Sequence, residues 1–402
     1  MRLPGAESRR LGRRVGLDRA LLLAYTLMSF AFMQTTSLTP HRTWAEFATP
    51  SYACALAISV HPKTRRFAPY LALAGSLVLP LVYLVINGLA QPELRIITEG
   101  AQRFIAYGSP YPSDPLSLDA MTPYLPAMFL FGIPRALGLN GPSGDPRLWI
   151  GATLLGVLVW ITTDRPLGAT PADRRVERSN LALFLSFPLV ALTLSVSAID
   201  IPMCAASVLA LDCYRRRHFV ATGFLSGLAL AMKPTALFLV VALAAAMLRR
   251  GPRSGLRPYL LSAVSTFGAA VIAPLLLDAH AMWVNTVAFP AGLTAISSPA
   301  QSPLPGVLLA EHLPGGPTIA RVLLLIAIGG GCFFIWRSAP KTVAGISRQT
   351  AIALCVAICA APNSRVGYFV YPLALWAMGS LSRRWSPDLT GDLSGKANSP
   401  NG

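Results

Sequence analysis

YLPAMFLFGIPRALGL, residues 124–139, sets the direction of every loop that follows it. The run is apolar and 16 residues long, just under the ~17 that an upright membrane helix needs. If it crosses, Arg215–Arg217, Arg249–Arg257 and Arg383–Arg384 all come to lie outside. That arrangement opposes the bias that keeps Lys and Arg on the cytoplasmic side. If the run dips into the membrane or lies on it, the remaining apolar stretches give twelve crossings and both termini are cytoplasmic. The inside then holds 26 of the 34 Lys and Arg, and the outside eight; the acids divide eight inside and nine outside. This one-sidedness favours the non-crossing reading.

Composition fixes the class. Of 402 residues, 53% are hydrophobic and 13% charged, with a mean hydropathy of +0.54. Soluble domains carry about 25% charged residues, so a disordered chain and a soluble enzyme are both excluded. The expected fold is all-α, a polytopic membrane bundle of about twelve spans. They fall at 20–38, 44–60, 69–90, 148–163, 181–199, 201–214, 218–232, 235–249, 257–277, 318–336, 348–361 and 366–382. Several are short for a full crossing, and Pro188, Pro202, Pro234 and Pro274 mark expected kinks or breaks. The net charge of +17 falls in short bursts between apolar runs. It therefore belongs to cytoplasmic loops rather than to nucleic-acid binding.

Three segments follow: a basic cytoplasmic N-terminus at 1–19, a transmembrane domain at 20–382, and a cytoplasmic, disordered tail at 383–402. The main outer stretches are 91–147 and 278–317. The six cysteines lie within or at the ends of apolar stretches, without metal spacing. His280 and His312 stand alone in the second outer stretch, and no metal or cofactor is expected. GGGC at 329–332 falls in an apolar span and reads as helix packing.

The first outer stretch opens with PELRIITEGAQRFIAY, residues 92–107. Leu94, Ile97, Ala101 and Phe104 recur at helical spacing, which predicts an amphipathic helix lying at the interface. Pro92 suits a first helical turn, and Glu93 beside it complements the helix dipole. GSPYPSDP then breaks the helix. Glu93 has a plain reading as a first-turn carboxylate. Its functional reading is a base above the outer ends of the spans, with Glu99 the second candidate.

These residues resemble the membrane glycosyltransferases of the GT-C superfamily. Within it they resemble glycosyltransferase family 87, the actinobacterial polyprenol-phosphate-mannose-dependent mannosyltransferases. The resemblance rests on Glu93-Leu94-Arg95-Ile96-Ile97, Gly108-Ser109-Pro110-Tyr111 and Tyr124-Leu125-Pro126. It continues at Asp200-Ile201-Pro202, at Gly227 to Pro234 with Lys233-Pro234 at its end, and at Ser364-Arg365-Val366-Gly367-Tyr368 with Tyr371-Pro372. Two positions depart from the family pattern: the usual Asp is Glu93, and the tyrosine four residues later is Ile97.

The resemblance implies transfer of a sugar, most often mannose, from a polyprenyl-phosphate donor to an acceptor hydroxyl on a glycolipid or polysaccharide. The reaction would take place on the outer face of the plasma membrane. One carboxylate suffices for an inverting transfer, because a phosphate leaving group needs no general acid. Glu93 is then the base. Lys233 and Arg365 hold the donor phosphate, and Tyr111, Tyr124 and Asp200 bind substrate, Asp200 also being able to pair with Lys233. The second reading is a multi-pass transporter or lipid flippase, suited by the helix pair broken at Lys233-Pro234. Against it, the ionisable residues gather at the outer ends of spans, and the two halves show no repeat.

Overall fold

The computed structural model describes residues 4–163 and 170–385. Among them there are no strands; one isolated parallel bridge joins Gln301 and Ser364. A helix stands at each of the twelve expected apolar runs. Six are long and apolar enough to cross a bilayer by length and composition: Gly16–Thr35, Arg65–Ile86, Pro146–Thr163, Arg253–Leu277, Gly316–Ser338 and Val343–Ala360. A seventh is the bent pair Arg174–Leu185 and Pro188–Val196, with 64° between its halves. Phe219–Met232 and Pro234–Arg249 are apolar but shorter. The chain is thus an all-helical, multi-pass membrane protein.

The N-terminal segment expected to stand apart is continuous with the first span, in one helix from Pro4 to Thr35. Of the tail expected to be disordered, residues 383–385 end the helix Val370–Trp385, and 386–402 lie outside the described residues.

The chain divides into two compact units. The first takes its described residues from 1–94, 139–151 and 167–199. Its core gathers Leu22, Tyr25, Trp44, Tyr52, Leu84 and Ala191. Prolines shape it, since each removes a backbone donor and frees a carbonyl one turn back. Pro80 cannot bond the Ser76 carbonyl. The turn at 74–78 opens into a π-helix, and the Trp44 indole N–H donates to Ser76 O at 2.7 Å. Pro188 bends the pair at 174–196. The Tyr52 hydroxyl donates to Ser186 O, the Tyr25 hydroxyl to Leu183 O at 3.3 Å, and Ser186 Oγ to the same Leu183 O at 3.0 Å. Buried carbonyls left without partners would be costly in lipid, and these side chains supply the donors.

The second unit takes its described residues from 95–138, 152–166 and 200–402. Its helix Phe219–Met232 lies against Leu256–Leu277 through glycines. A Cβ at Gly223 would sit 2.2 Å from Tyr259 O, and one at Gly227 2.4 Å from Ala263 O. Glycines four apart let two backbones approach this closely. The expected packing by 329–332 reduces to Gly331, which faces Phe238 and Ala353; Gly329 and Gly330 face open space.

The run at 124–139 is not one helix. It forms a 3₁₀ helix, Pro126–Gly132, and a single α turn, Ile133–Ala136. At the usual rises these reach about 20 Å, short of the ~30 Å hydrocarbon core. Its partner is the helix Pro92–Tyr107. A Cβ at Gly132 would lie 2.4 Å from Ile97 O, and one at Gly100 2.3 Å from the Phe129 ring. Ile97 and Ala101 are fully buried here. The apolar stripe of that helix, expected to lie at the interface, therefore packs on protein at Ile97 and Ala101.

Candidate active site

The chemistry of the second unit collects at one broken helix. Proline disfavours helical backbone in the residue before it. Lys233 accordingly leaves the helix at Met232 and is extended, with φ −147° and ψ 137°. The break frees the Met232 carbonyl, and the Leu125 N–H donates to it at 3.2 Å. This bond brings Tyr124 into place, with the Lys233 ammonium 5.3 Å from the centre of its ring. Tyr368 covers the ammonium from a second side at 5.4 Å.

The third wall is Asp200, whose carboxylate accepts from Lys233 Nζ. Asp200 occupies the N-cap of Ile201–Arg215 but makes no cap bond with its side chain. Its carboxylate is spent on the lysine instead. Each side chain of the pair is only 14% exposed. A buried ammonium demands a counter-charge, and the faces of two aromatic rings add attraction in a poorly hydrated setting. Burial alone would lower the Lys233 pKa. Asp200, Tyr368 and Cys204 together outweigh it, so the value stands above that of an ordinary lysine and the side chain is held as a cation.

The loop bearing Tyr124 is held along its length. The Tyr111 hydroxyl donates to Tyr124 O at 2.9 Å, and the Tyr111 ring packs edge-on against Phe129. Buried Asn285 accepts from Thr122 N at 2.9 Å and donates to Pro112 O at 3.2 Å. Asp278 accepts from the Ser113 hydroxyl and from Ala281 N, both at 2.8 Å, and these bonds hold its pKa below the ordinary Asp value. Gly108 begins the loop at φ +76°, a backbone that glycine adopts freely.

Arg365 is half-buried and opens the 3₁₀ turn Val366–Phe369, which carries Tyr368. Ser364 N donates to Ala300 O at 2.8 Å, and Ser302 N donates to Ser364 O at 3.0 Å, so the turn is fastened to the second outer stretch.

The expected acids separate. Glu99 lies on the helix surface between Arg103 at 3.4 Å and Arg95 at 3.8 Å; Arg95 also pairs with Asp119 at 2.8 Å. Glu93 stands in the first turn of Pro92–Tyr107, half-buried with Oε2 shielded from solvent. It belongs to the first unit. There Gln91 N donates to Val196 O at 3.0 Å, and the Gln91 side chain meets the His41 ring. Among the described residues no three His, Cys, Asp or Glu side chains gather as a metal site.

Sequence reasoning had placed Lys233, Asp200 and Tyr124 as site residues, and they meet. Tyr368 and Asn285 were given no role. Tyr368 was quoted within the last outer motif, one short turn after Arg365, but nothing local links it to a lysine 135 positions earlier.

Within an all-helical, multi-pass chain, the Lys233 ammonium is thus enclosed by a carboxylate and two tyrosine rings. The profile of glycosyltransferase family 87 matches residues 123–362, more than half of the chain. The chain therefore belongs to glycosyltransferase family 87 and is a glycosyltransferase. The match takes in Tyr124, Asp200 and Lys233, whereas Glu93, Tyr111 and Arg365 lie outside it. Comparison with curated proteins and with solved structures gave no match.

Proposed function

We propose that this glycosyltransferase moves a sugar, mannose by family default, from a polyprenyl-phosphate donor to a hydroxyl of a glycolipid or polysaccharide on the outer face of the plasma membrane. In this reading the fold is a GT-C bundle of about twelve spans. The observation that carries it is the enclosed Lys233 ammonium. A phosphate that leaves carries negative charge, and a preorganised cation that does not reorient during reaction stabilises it best. Lys233 has three donors; Asp200 engages one and fixes the head, leaving others for phosphate oxygens. Arg365 is the second phosphate ligand. Tyr124 lends its ring to the lysine, and Tyr111 supports Tyr124 from behind.

Glu93 accepts the acceptor's hydroxyl proton. The oxygen then forms a bond to the anomeric carbon while the bond from that carbon to the phosphate oxygen breaks. Polyprenyl phosphate departs with the electron pair, and the anomeric configuration inverts. No cofactor is required. A positioned base contributes about 10²–10⁴-fold to such a step.

A donor panel tests the reading. Membranes holding the protein, given labelled polyprenyl-phosphate-mannose and an alkyl mannoside, are expected to form labelled product. Labelled GDP-mannose, in membranes that cannot convert it to the lipid form, is expected to give none. Transfer from the nucleotide sugar alone would overturn the donor class. A transporter would move the lipid-linked sugar across vesicles and form no new glycosidic bond.

A further inference from the structure

Arg147 is 1% exposed, the only arginine among the buried polar residues described. By sequence it is one of the eight Lys and Arg expected outside. Its guanidinium makes four hydrogen bonds, all within the first unit. Nε donates to Asp145 Oδ1 at 3.0 Å and Nη2 to Asp145 Oδ2 at 2.7 Å, the two-pronged geometry of an Arg–carboxylate pair. Nη1 donates to two carbonyls, Leu89 O and Ser195 O, each at 2.8 Å.

These carbonyls mark a seam. Leu89 lies four residues before Glu93, and Ser195 lies on the helix Pro188–Val196. Two residues further along the segment that begins at Leu89, Gln91 N donates to Val196 O, the next carbonyl after Ser195. The following residue is Pro92, which starts the helix, and then comes Glu93. Arg147 thus clamps the segment that delivers Glu93 at its base, and the Gln91 amide closes it above. A base works only within hydrogen-bond reach of its proton, and misplacement by 1 Å costs about 10²-fold.

We infer that Arg147, held by Asp145, is a positioning residue for Glu93: it fixes the 89–91 segment against 195–196 and so sets where the carboxylate stands. This rests on the reading of Glu93 as the base. Lysine cannot reproduce the fork, so Arg147→Lys keeps the charge and removes the clamp.

Two measurements test it. The first needs no turnover. Hydrogen exchange of the purified protein in nanodiscs is expected to rise at residues 89–97 in Arg147→Lys and to stay unchanged at 219–249. No rise at 89–97, or a rise along the whole chain, overturns the inference. The second is a double-mutant cycle using labelled polyprenyl-phosphate-mannose and an alkyl mannoside. Arg147→Lys is expected to lower kcat about 10- to 100-fold with donor KM unchanged, and to have less than about a twofold effect in the Glu93→Gln background. Equal losses in both backgrounds, or a change confined to KM, contradict it. Glu93→Gln alone separates the two ideas, since full activity in that variant removes the base assignment itself. If Arg147→Lys does not accumulate, Asp145→Asn replaces it in both measurements with the same expected results.

Discussion

At the scale of single residues, the ion pair at the broken helix dominates. Lys233 and Asp200 are nearly buried, and removing one charge strands the other. Breaking a buried pair costs about 3–5 kcal/mol. Asp200→Asn is expected to lower stability by about 3 kcal/mol, read as a lower midpoint in thermal unfolding of the detergent-solubilised protein; an unchanged midpoint would show that the pair is effectively solvated. Lys233→Met removes the group proposed to hold the donor phosphate and is expected to lower kcat/KM for the lipid donor about 100-fold. Retained donor use at normal protein levels would move the phosphate site elsewhere. Much of this was readable in advance. A lysine before a proline between two apolar runs signals both a break and a costly charge. The aromatic enclosure was not readable, because Tyr124, Lys233 and Tyr368 are brought together only by tertiary bonds such as Leu125 N–H to Met232 O.

At the scale of elements, hydrophobic runs predicted where helices lie but not how each one ends or bends. Pro80 and Pro188 open local irregularities whose freed carbonyls are taken by Trp44, Tyr52 and Tyr25. Those partners lie in distant helices and leave no local signature. The run at 124–139 read as non-crossing from charge placement, and in the structure it divides into short 3₁₀ and α pieces. The stripe on Pro92–Tyr107 was legible as a face. Periodicity does not distinguish a lipid partner from a protein one, and here the partner is the 3₁₀ segment, packed glycine against backbone. Glycines separate into two kinds for the same reason. Gly223→Leu places a side chain where a backbone carbonyl stands 2.2 Å from the first added carbon. It is expected to destabilise by about 1–3 kcal/mol or more. Gly330→Ala meets nothing within 4 Å and is expected to be neutral or slightly stabilising through helix propensity. Thermal midpoints of the two variants check this; similar values would show that the 219–232 and 256–277 helices do not pack through glycine.

At the scale of the whole molecule, the family and the all-helical, multi-pass architecture are shown, and the threading proposed for it rests on charge placement. Among the described residues six helices qualify as spans on their own, with a seventh as a bent pair. The remaining expected spans are short or interrupted, so length alone does not count them, and the expectation of twelve crossings rests on the placement of Lys and Arg. Twelve crossings put residue 140 outside and residue 250 inside. Among single-cysteine variants in a cysteine-free background, Asn140→Cys is expected to react with a membrane-impermeant thiol reagent on intact cells, and Arg250→Cys only after lysis. The reverse pattern would require the 124–139 run to cross. The family assignment makes the chain a glycosyltransferase, and the proposed mechanism places proton removal on one carboxylate. The most direct test is transfer of labelled mannose from polyprenyl phosphate to an alkyl mannoside by purified wild-type protein and by Glu93→Gln at equal amounts. The predicted result is inverted product from wild type and a rate about 10²-fold lower or less still from the variant. Equal rates from the two proteins would contradict it.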